Sequence, residues 1–197
     1  KIDRKIMGFL LNNVRTSAER EGDFAAQIMA NITGVRRTTQ LIDKYGLQTV
    51  EFYSAALMDY AERITRDTIS RIHDGTYEFE DYMDDDGFGN KRIAIHVSID
   101  IEGDRARLDF TKSHDQVEGS INAVYAITLS AVLYVFRSLV KRDIPTNAGC
   151  LRPIDVITRK GSIVDAEFPS SVAGGNVETS QRIVDVVLGA VSYTHLT

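Results

Sequence analysis

Two long stretches of the chain place apolar residues at every third or fourth position, which is the spacing of an amphipathic helix. The first stretch follows Asp23, a residue type that suits a helix N-cap, and ends at Gly46, a helix C-terminal signal. The second stretch follows directly and ends before Gly75. Together they predict a helical hairpin segment over residues 1–75.

Beyond Gly75 the apolar residues follow an alternating pattern. Every second residue from Ile93 to Ile101 is apolar, and the alternation resumes over 106–110 after a short turn that contains a glycine. This pattern predicts an antiparallel β-hairpin with one face against the core. His96 falls between the isoleucines, so we expect it to be a surface histidine on the opposite face.

The most apolar stretch of the chain is Ile121–Val140. Its length raises the question of a membrane span. Asn122 and Arg137 are among the polar residues that interrupt it, and spanning segments seldom contain so many. The pattern therefore favours a buried core helix, with Ser120 as its N-cap.

A loop-rich region over 143–177 holds all three prolines of the chain. It contains short alternating pieces at 154–157 and 162–166, and it leads into a final amphipathic helix around 183–190. The element order predicts an α+β fold: a helical hairpin, an antiparallel β-hairpin packed on a buried helix, and a loop-rich segment leading into a final helix.

The two ends of the sequence suggest a piece of a longer subunit. The chain begins at Lys1, without methionine, inside a segment that looks ordered. We assign 76–191 to an α+β segment of the same larger subunit as the helices. Residues 192–197 do not continue the preceding helical pattern, so we interpret them as a non-native tail and give His195 no functional weight.

Composition excludes several classes of function. The chain of 197 residues has 28 acidic and 23 basic side chains and a formal charge of −5. Nucleic-acid binding is disfavoured because there is no basic excess, and an anionic membrane would not attract the chain. Cys150 is the single cysteine, which excludes an internal disulfide and indicates a reducing, cytoplasmic compartment. We expect it to be a small buried apolar side chain.

The acidic run over 78–87 partly resembles a calcium-binding loop. Three of its residues match EF-hand positions, but Tyr82 and Ile93 stand where the first and twelfth ligands belong. A solvated edge strand or turn is the better interpretation. His73, His96 and His114 are scattered without metal-ligand spacing, and no nucleophile-elbow motif is present, so we assign no metal ligands.

The loop between Pro145 and Pro153 is a possible site wall. Asn147 and Gly149 suit positive φ angles, and flanking prolines stiffen a loop. A structural turn and a site wall both remain open.

The segment Ala173–Arg182, called here the glycine–polar segment, gives the strongest functional signal. Its paired glycines allow close backbone approach, and Asn176 suits a helix N-cap. The polar residues that follow lie where the unpaired amides and the positive end of a helix dipole gather. Capping alone does not need so many polar residues, so a ligand site or an interface is indicated. No Gly-Lys-Ser/Thr follows, so the segment is not a phosphate-binding P-loop.

Several motifs together resemble the hydantoinase B/oxoprolinase family. The match extends from Asn13 to about Ala190. Its most specific parts are Asn147-x-Gly149-Cys150-Leu151-Arg152-Pro153, Gly161-Ser162 and Ala173-Gly174-Gly175-Asn176-Val177-Glu178-Thr179-Ser180-Gln181-Arg182-Ile183-x-Asp185. Weaker matches, in the expected order, are Asn13-Val14-Arg15, Gly22-Asp23, Gln27, Tyr45-Gly46, Glu80-Asp81, Asp84-Asp85-Asp86-Gly87 and Asp109-Phe110-Thr111.

The resemblance implies a B-type subunit that works with an ATP-using hydantoinase A-type subunit in a hetero-oligomer. Such enzymes open cyclic amides such as hydantoins or 5-oxoproline, and some carboxylate ketones such as acetone. ATP would enter through the A-type partner. A divalent metal is possible, with ligands in the N-terminal part of the family sequence, outside this chain. The fragment is therefore expected to be inactive alone.

The same resemblance suggests roles for individual residues. We expect Glu178 to orient a water or ligand and Arg182 to neutralise a carboxylate or phosphate, as catalytic residues. The predicted substrate-binding residues are Asn147, Gly175, Asn176, Thr179, Ser180 and Gln181. Bracing of the loop and contact with a partner subunit remain open for the same residues. A cyclic amide hydrolase, a ketone carboxylase subunit and a non-catalytic docking module remain three alternatives.

Overall fold

The computed structural model describes residues 3–14 and 16–192. The chain divides into two compact units between Ala55 and Ala56. Ser192 is the last residue of the final helix, and the rest of the predicted non-native tail, with His195, lies outside the described residues. The domain boundaries predicted at 75 and 191 stay predictions.

The N-terminal unit is helical. Helix α1 spans Arg4–Leu11, α2 spans Ser17–Tyr45, and α3 spans Leu47–Ile69 and crosses the division between the units. Gly46 separates α2 from α3, with a φ of 82° that favours glycine. The prediction that Asp23 caps the first helix is wrong. Its carboxylate lies inside α2, which already begins at Ser17, and pairs with Arg20 at 2.6 Å.

The C-terminal unit contains a four-stranded sheet in the order β1-β2-β3-β4. The first two pairings are antiparallel, and β4 joins β3 in parallel. The strands are β1 Gly75–Asp85, β2 Lys91–Glu102, β3 Arg105–Asp109 and β4 Ile154–Ile157. The predicted hairpin is confirmed as β2 and β3, in which Ile99 pairs with Leu108.

Helix α5, Glu178–Ser192, packs on β1 and β2, and α4, Tyr125–Leu139, packs on α5 and contributes to the same core. The alternating isoleucines of β2 are buried in this core, together with Phe136 of α4 and Ile183 of α5. The predicted α+β fold is confirmed.

The buried core helix begins later than predicted. Ser120 is not its N-cap, because α4 starts at Tyr125 after Val124 in an extended conformation. The backbone before it is already used elsewhere: Ala123 donates to the Ile163 carbonyl at 2.8 Å and accepts from the Ala166 N–H at 2.9 Å. These residues therefore cannot form the first helical turn.

His96 is buried, and the prediction of a surface histidine is wrong. It does lie on the sheet face opposite the isoleucines, but it is only 9% exposed. The hydroxyl of Ser113 accepts from the His96 N–H and donates to its carbonyl, both at 3.1 Å. The loop that carries Ser113 therefore pairs with the backbone of β2 at His96.

The second predicted short strand, 162–166, forms only isolated bridges, which join Ser162 to Asp115 and to Asp165. The chain reverses here, since Gly161 has a φ of 75°. Cys150 is buried, as predicted. Within the described part of the chain, none of the helices combines the length and hydrophobicity that crossing a bilayer requires.

Candidate functional site

The two glycines of the glycine–polar segment lie against the loop that precedes α4. Gly174 and Gly175 begin a short 3₁₀ helix, and the Gly174 N–H donates to the Ser120 carbonyl at 2.6 Å. A Cβ placed on Gly175 would lie 2.0 Å from the carbonyl oxygen of Asn122. The close approach that these glycines permit is therefore between two loops of this chain.

Asn122 ties these two loops together, although none of the family-like motifs includes it. Its amide nitrogen donates at 2.9 Å to the carbonyls of Val117, Gly119 and Ser171, and its oxygen accepts from the Val117 N–H at 2.7 Å. The residue is fully buried, where an unsatisfied amide would be costly. The only signal in the sequence is an asparagine at the start of a strongly apolar stretch.

Helix α5 begins at Glu178, so the prediction that Asn176 is its N-cap is wrong. Asn176 instead ends the 3₁₀ helix, in which the Val177 N–H donates to the Gly174 carbonyl at 3.1 Å. Thr179 is buried, and its hydroxyl donates to the Ile121 carbonyl. The Ser180 hydroxyl donates to the Asn176 carbonyl at 3.0 Å.

Five of the predicted site residues of this segment divide into two groups, and Ser180 and Arg182 are half-buried between them. Gly175 and Thr179 are buried against the loop before α4. Asn176, Glu178 and Gln181 are exposed to solvent. Val177, between them, is an apolar residue that is 63% exposed. The three exposed polar residues and Val177, called here the outward-facing group, are the part of the segment that is accessible to a ligand or another subunit.

An ion pair with the sheet fixes the position of Arg182. Its guanidinium pairs with the carboxylate of Asp81 on β1, and Asp185 lies one turn further along α5 at 3.9 Å. Burial acts to raise the pKa of Asp81, but the Tyr82 N–H and the Arg182 guanidinium outweigh it. The pKa of this carboxyl therefore lies below its ordinary value. Both side chains of the pair are about one-third exposed, so Arg182 keeps N–H donors that face solvent.

The acidic run ends in a turn beside the same loops. β1 is an edge strand, as one of the two interpretations predicted. Asp86 is buried after it, and its carboxylate accepts from the N–H groups of Phe88 and Asn90 at 2.9 and 3.1 Å. The pKa of Asp86 lies below its ordinary value, chiefly because the Asn90 side-chain amide donates a hydrogen bond to its carboxylate. A Cβ on Gly119 would lie 2.2 Å from the Asp86 carbonyl oxygen, so the turn packs on the loop that also supports Gly174.

Asn147 lies in a different environment, and its φ of −151° is extended rather than positive. Its side-chain oxygen accepts from the Gly149 N–H at 2.8 Å, and its nitrogen donates to the Leu57 carbonyl of α3 at 3.2 Å. A Cβ on Gly149 would lie 2.0 Å from the Met58 carbonyl oxygen. No hydrogen bond or ion pair among the described residues joins Asn147 to the glycine–polar segment. The structure therefore brings together the other predicted site residues but not this one.

Metal-binding residues are not clustered in the described ranges 3–14 and 16–192. No three His, Cys, Asp or Glu side chains there lie close enough together to hold an ion. The described residues do not fit a metal centre.

The arrangement around the glycine–polar segment can be compared with known families. The family model described as hydantoinase B/oxoprolinase matches residues 1–195. The chain belongs to the hydantoinase B/oxoprolinase family. The resemblance drawn from the motifs is confirmed.

Curated members of the hydantoinase B/oxoprolinase family are much longer than this chain. It is 39% identical over 183 residues to the 5-oxoprolinase of Dictyostelium discoideum, covering 89% of this chain and 14% of that protein. It is 30% identical over 203 residues to a B subunit of a putative D-/L-hydantoinase from a Pseudomonas species, covering 96% of this chain and 34% of the relative.

Solved structures share the fold over the whole chain. The ATP-dependent caprolactamase of Pseudomonas jessenii superposes with a TM-score of 0.85 at 26% identity, covering 100% of this chain and 34% of that one. A nucleotide-free acetone carboxylase superposes with a TM-score of 0.79 at 15% identity, covering 99% of this chain and 27% of that one. At 15% identity the second likeness concerns the fold alone.

Proposed function

We propose that this chain is part of the B-type subunit of an ATP-dependent cyclic amide hydrolase of the hydantoinase or 5-oxoprolinase type. The supporting observation is that nearly the whole chain matches a 5-oxoprolinase, a hydantoinase subunit and a caprolactamase. Each of these names refers to a cyclic amide. The chain spans about a third or less of each, so the reaction belongs to the longer subunit.

The proposal includes a hydantoinase A-type subunit or domain as the partner in a cytoplasmic hetero-oligomer. Support comes from one relative, whose name makes it the B-type subunit of a hydantoinase, and from the words "ATP-dependent" in the name of the caprolactamase. ATP would be bound and consumed through the A-type partner. Any divalent metal would be held by residues outside this chain, and no proposed step uses a metal bound here.

Within the reaction, we propose that the polar side chains of the outward-facing group contact the substrate and the attacking water. Hydrolysis of a cyclic amide adds water across the C–N bond, and the departing nitrogen takes a proton. Glu178, exposed at the first turn of α5, would accept a hydrogen bond from the attacking water and orient it. The amides of Asn176 and Gln181 would hydrogen-bond the polar groups of the ring.

Arg182 would neutralise a carboxylate or phosphate on the substrate, with Asp81 fixing the position of its guanidinium. Gly175, Thr179 and Ser180 would support the outward-facing group through their contacts with neighbouring backbone. Asn147 would act on the arrangement of its own loop against α3 rather than on substrate.

Ketone carboxylation is the second candidate chemistry. It is favoured less, because the likeness to acetone carboxylase concerns the fold and its identity is lower than that to the caprolactamase. A docking role for the outward-facing group is the third candidate, supported by the exposed Val177.

A substrate panel tests the proposal. The full-length subunit that contains this chain, purified with its A-type partner, is given ATP with 5-oxoproline, with hydantoin, or with acetone and bicarbonate. We expect ADP release with ring-opened product for one of the cyclic amides. Acetoacetate formation, without ring opening of either amide, would contradict it.

A further inference from the structure

A cleft lies between the C-terminal parts of α3 and α4, where no proposed site residue is found. Its volume is about 460 Å³. Ile72, Leu139 and Val140 contribute apolar surface, and Thr68 and Ser138 also line it. A volume of this size suits a small organic molecule.

The charges that line the cleft are unusual for an acidic chain. Arg71, Lys141 and Arg142 line it, and Asp67 is the one carboxylate among its described lining residues. A neighbouring depression shares Asp67 and Arg142 and adds Arg63. The cleft therefore concentrates positive charge on a chain whose formal charge is −5.

Asp67 organises two of these cations. One of its oxygens lies 2.7 Å from a terminal nitrogen of Arg71 and 3.2 Å from one of Arg142. Each guanidinium carries five N–H donors, so each keeps several for another anion. Holding the two side chains together lowers the entropy lost when both bind one ligand.

We propose that this cleft binds a small organic phosphate that carries at least two negative charges. The arginines would bind the phosphate oxygens in pairs, with Lys141 as a third cation. The apolar surface would contact the uncharged part of the ligand. The proposal does not depend on the reaction proposed above, since the cleft shares no residue with the glycine–polar segment.

Calorimetry on the full-length subunit that contains this chain, purified without its A-type partner, tests the site with inorganic pyrophosphate and ADP as probes. We expect saturable binding of both, weakened by added salt because the contacts are ionic. Arg71→Gln and Arg142→Gln should each raise the dissociation constant at least about tenfold, which is the factor expected for losing one charge-assisted pair. Arg105→Gln is the matched control, because it removes one exposed arginine of β3 that lies outside the cleft.

A second measurement locates the ligand. Acetylation of Lys141, followed by mass spectrometry, should slow severalfold when pyrophosphate is bound, while acetylation of Lys91 on β2 stays unchanged. Three results would each overturn the proposal: no saturable binding of either probe, equal weakening in Arg105→Gln, or binding of a glutamate-rich peptide without binding of pyrophosphate and ADP.

Discussion

The guanidinium of Arg182 on α5 pairs with the carboxylate of Asp81 on β1, which stands 101 positions earlier in the chain. This pair joins the polar start of the final helix to the edge strand of the sheet. It fixes one predicted catalytic residue by contact with a residue outside the glycine–polar segment.

Removing the arginine of this pair should have a small effect on stability. The side chains are 34% and 37% exposed, so solvent screens much of their attraction. Arg182→Gln is expected to lower the free energy of unfolding by about 1 kcal/mol or less. Urea unfolding of Arg182→Gln, Asp81→Asn and the double variant gives the coupling energy, and additive effects would show that the pair contributes nothing.

The lowered pKa of Asp81 predicts a pH dependence. Its pKa is below the ordinary 3.8, so the unfolded chain binds the proton more readily than the folded chain does. The ionised Asp81 carboxylate stabilises the fold fully when the pH is well above the pKa of Asp81 in the unfolded chain. This stabilisation is lost as the pH falls through the lower pKa of Asp81 in the folded chain. Asp81→Asn should therefore flatten the loss of unfolding free energy below about pH 5. An unchanged acid slope in this variant would contradict the assignment.

Gly175 should not tolerate a side chain. A Cβ there would lie 2.0 Å from the Asn122 carbonyl oxygen, a backbone atom that cannot move freely. Gly175→Ala is expected to lower the free energy of unfolding by about 1–3 kcal/mol, measured by urea unfolding.

Gly34→Ala in α2 is the matched control for this substitution, since an added Cβ there would meet nothing within 4 Å beyond the adjacent backbone of its own helix. There alanine should raise the unfolding free energy by up to about 1 kcal/mol, because glycine is a poor helix former. Equal effects of the two substitutions would show that the contact at Gly175 does not constrain the loop.

At Asn122, even an exchange of the side-chain nitrogen for an oxygen should destabilise the fold. In Asn122→Asp a carboxylate oxygen replaces the nitrogen that donates to three carbonyls. Because acceptors then face acceptors in a buried position, we expect a loss of about 3 kcal/mol or more. Asn176→Asp, at an exposed position, is the control, with an expected change within about 0.5 kcal/mol. Thermal unfolding of both variants makes the comparison, and equal losses would contradict the bridging role of Asn122.

The local pattern of apolar and polar residues was sufficient to predict several helices and strands. Alternation predicted β2 and β3, and the strongly apolar composition of 121–140 predicted that α4 lies in the core. Strand β1 was not clearly predicted as a strand because Asp81 falls on its core-facing side. The arginine that makes this position acceptable lies 101 residues away, which local pattern does not reveal.

Local sequence pattern did not predict that His96 is buried or that Gly175 packs against the chain's own backbone. Both features depend on contacts between distant parts of the chain. The backbone of His96 pairs with Ser113, which lies in a loop that returns to the sheet. Gly175 approaches the Asn122 backbone, although paired glycines in sequence are equally compatible with a ligand. The polar composition of the segment did indicate a helix start, and α5 begins within it.

The proposed role of Glu178 is tested most directly by one rate measurement. The full-length subunit carrying Glu178→Gln is purified with its A-type partner, and the kcat for ATP-dependent ring opening is compared with that of Glu102→Gln at the exposed β2–β3 turn. If Glu178 orients the attacking water, kcat should fall by about 100-fold or more while the complex stays assembled. A kcat equal to that of Glu102→Gln, or loss of the complex with Glu178→Gln, would contradict this role.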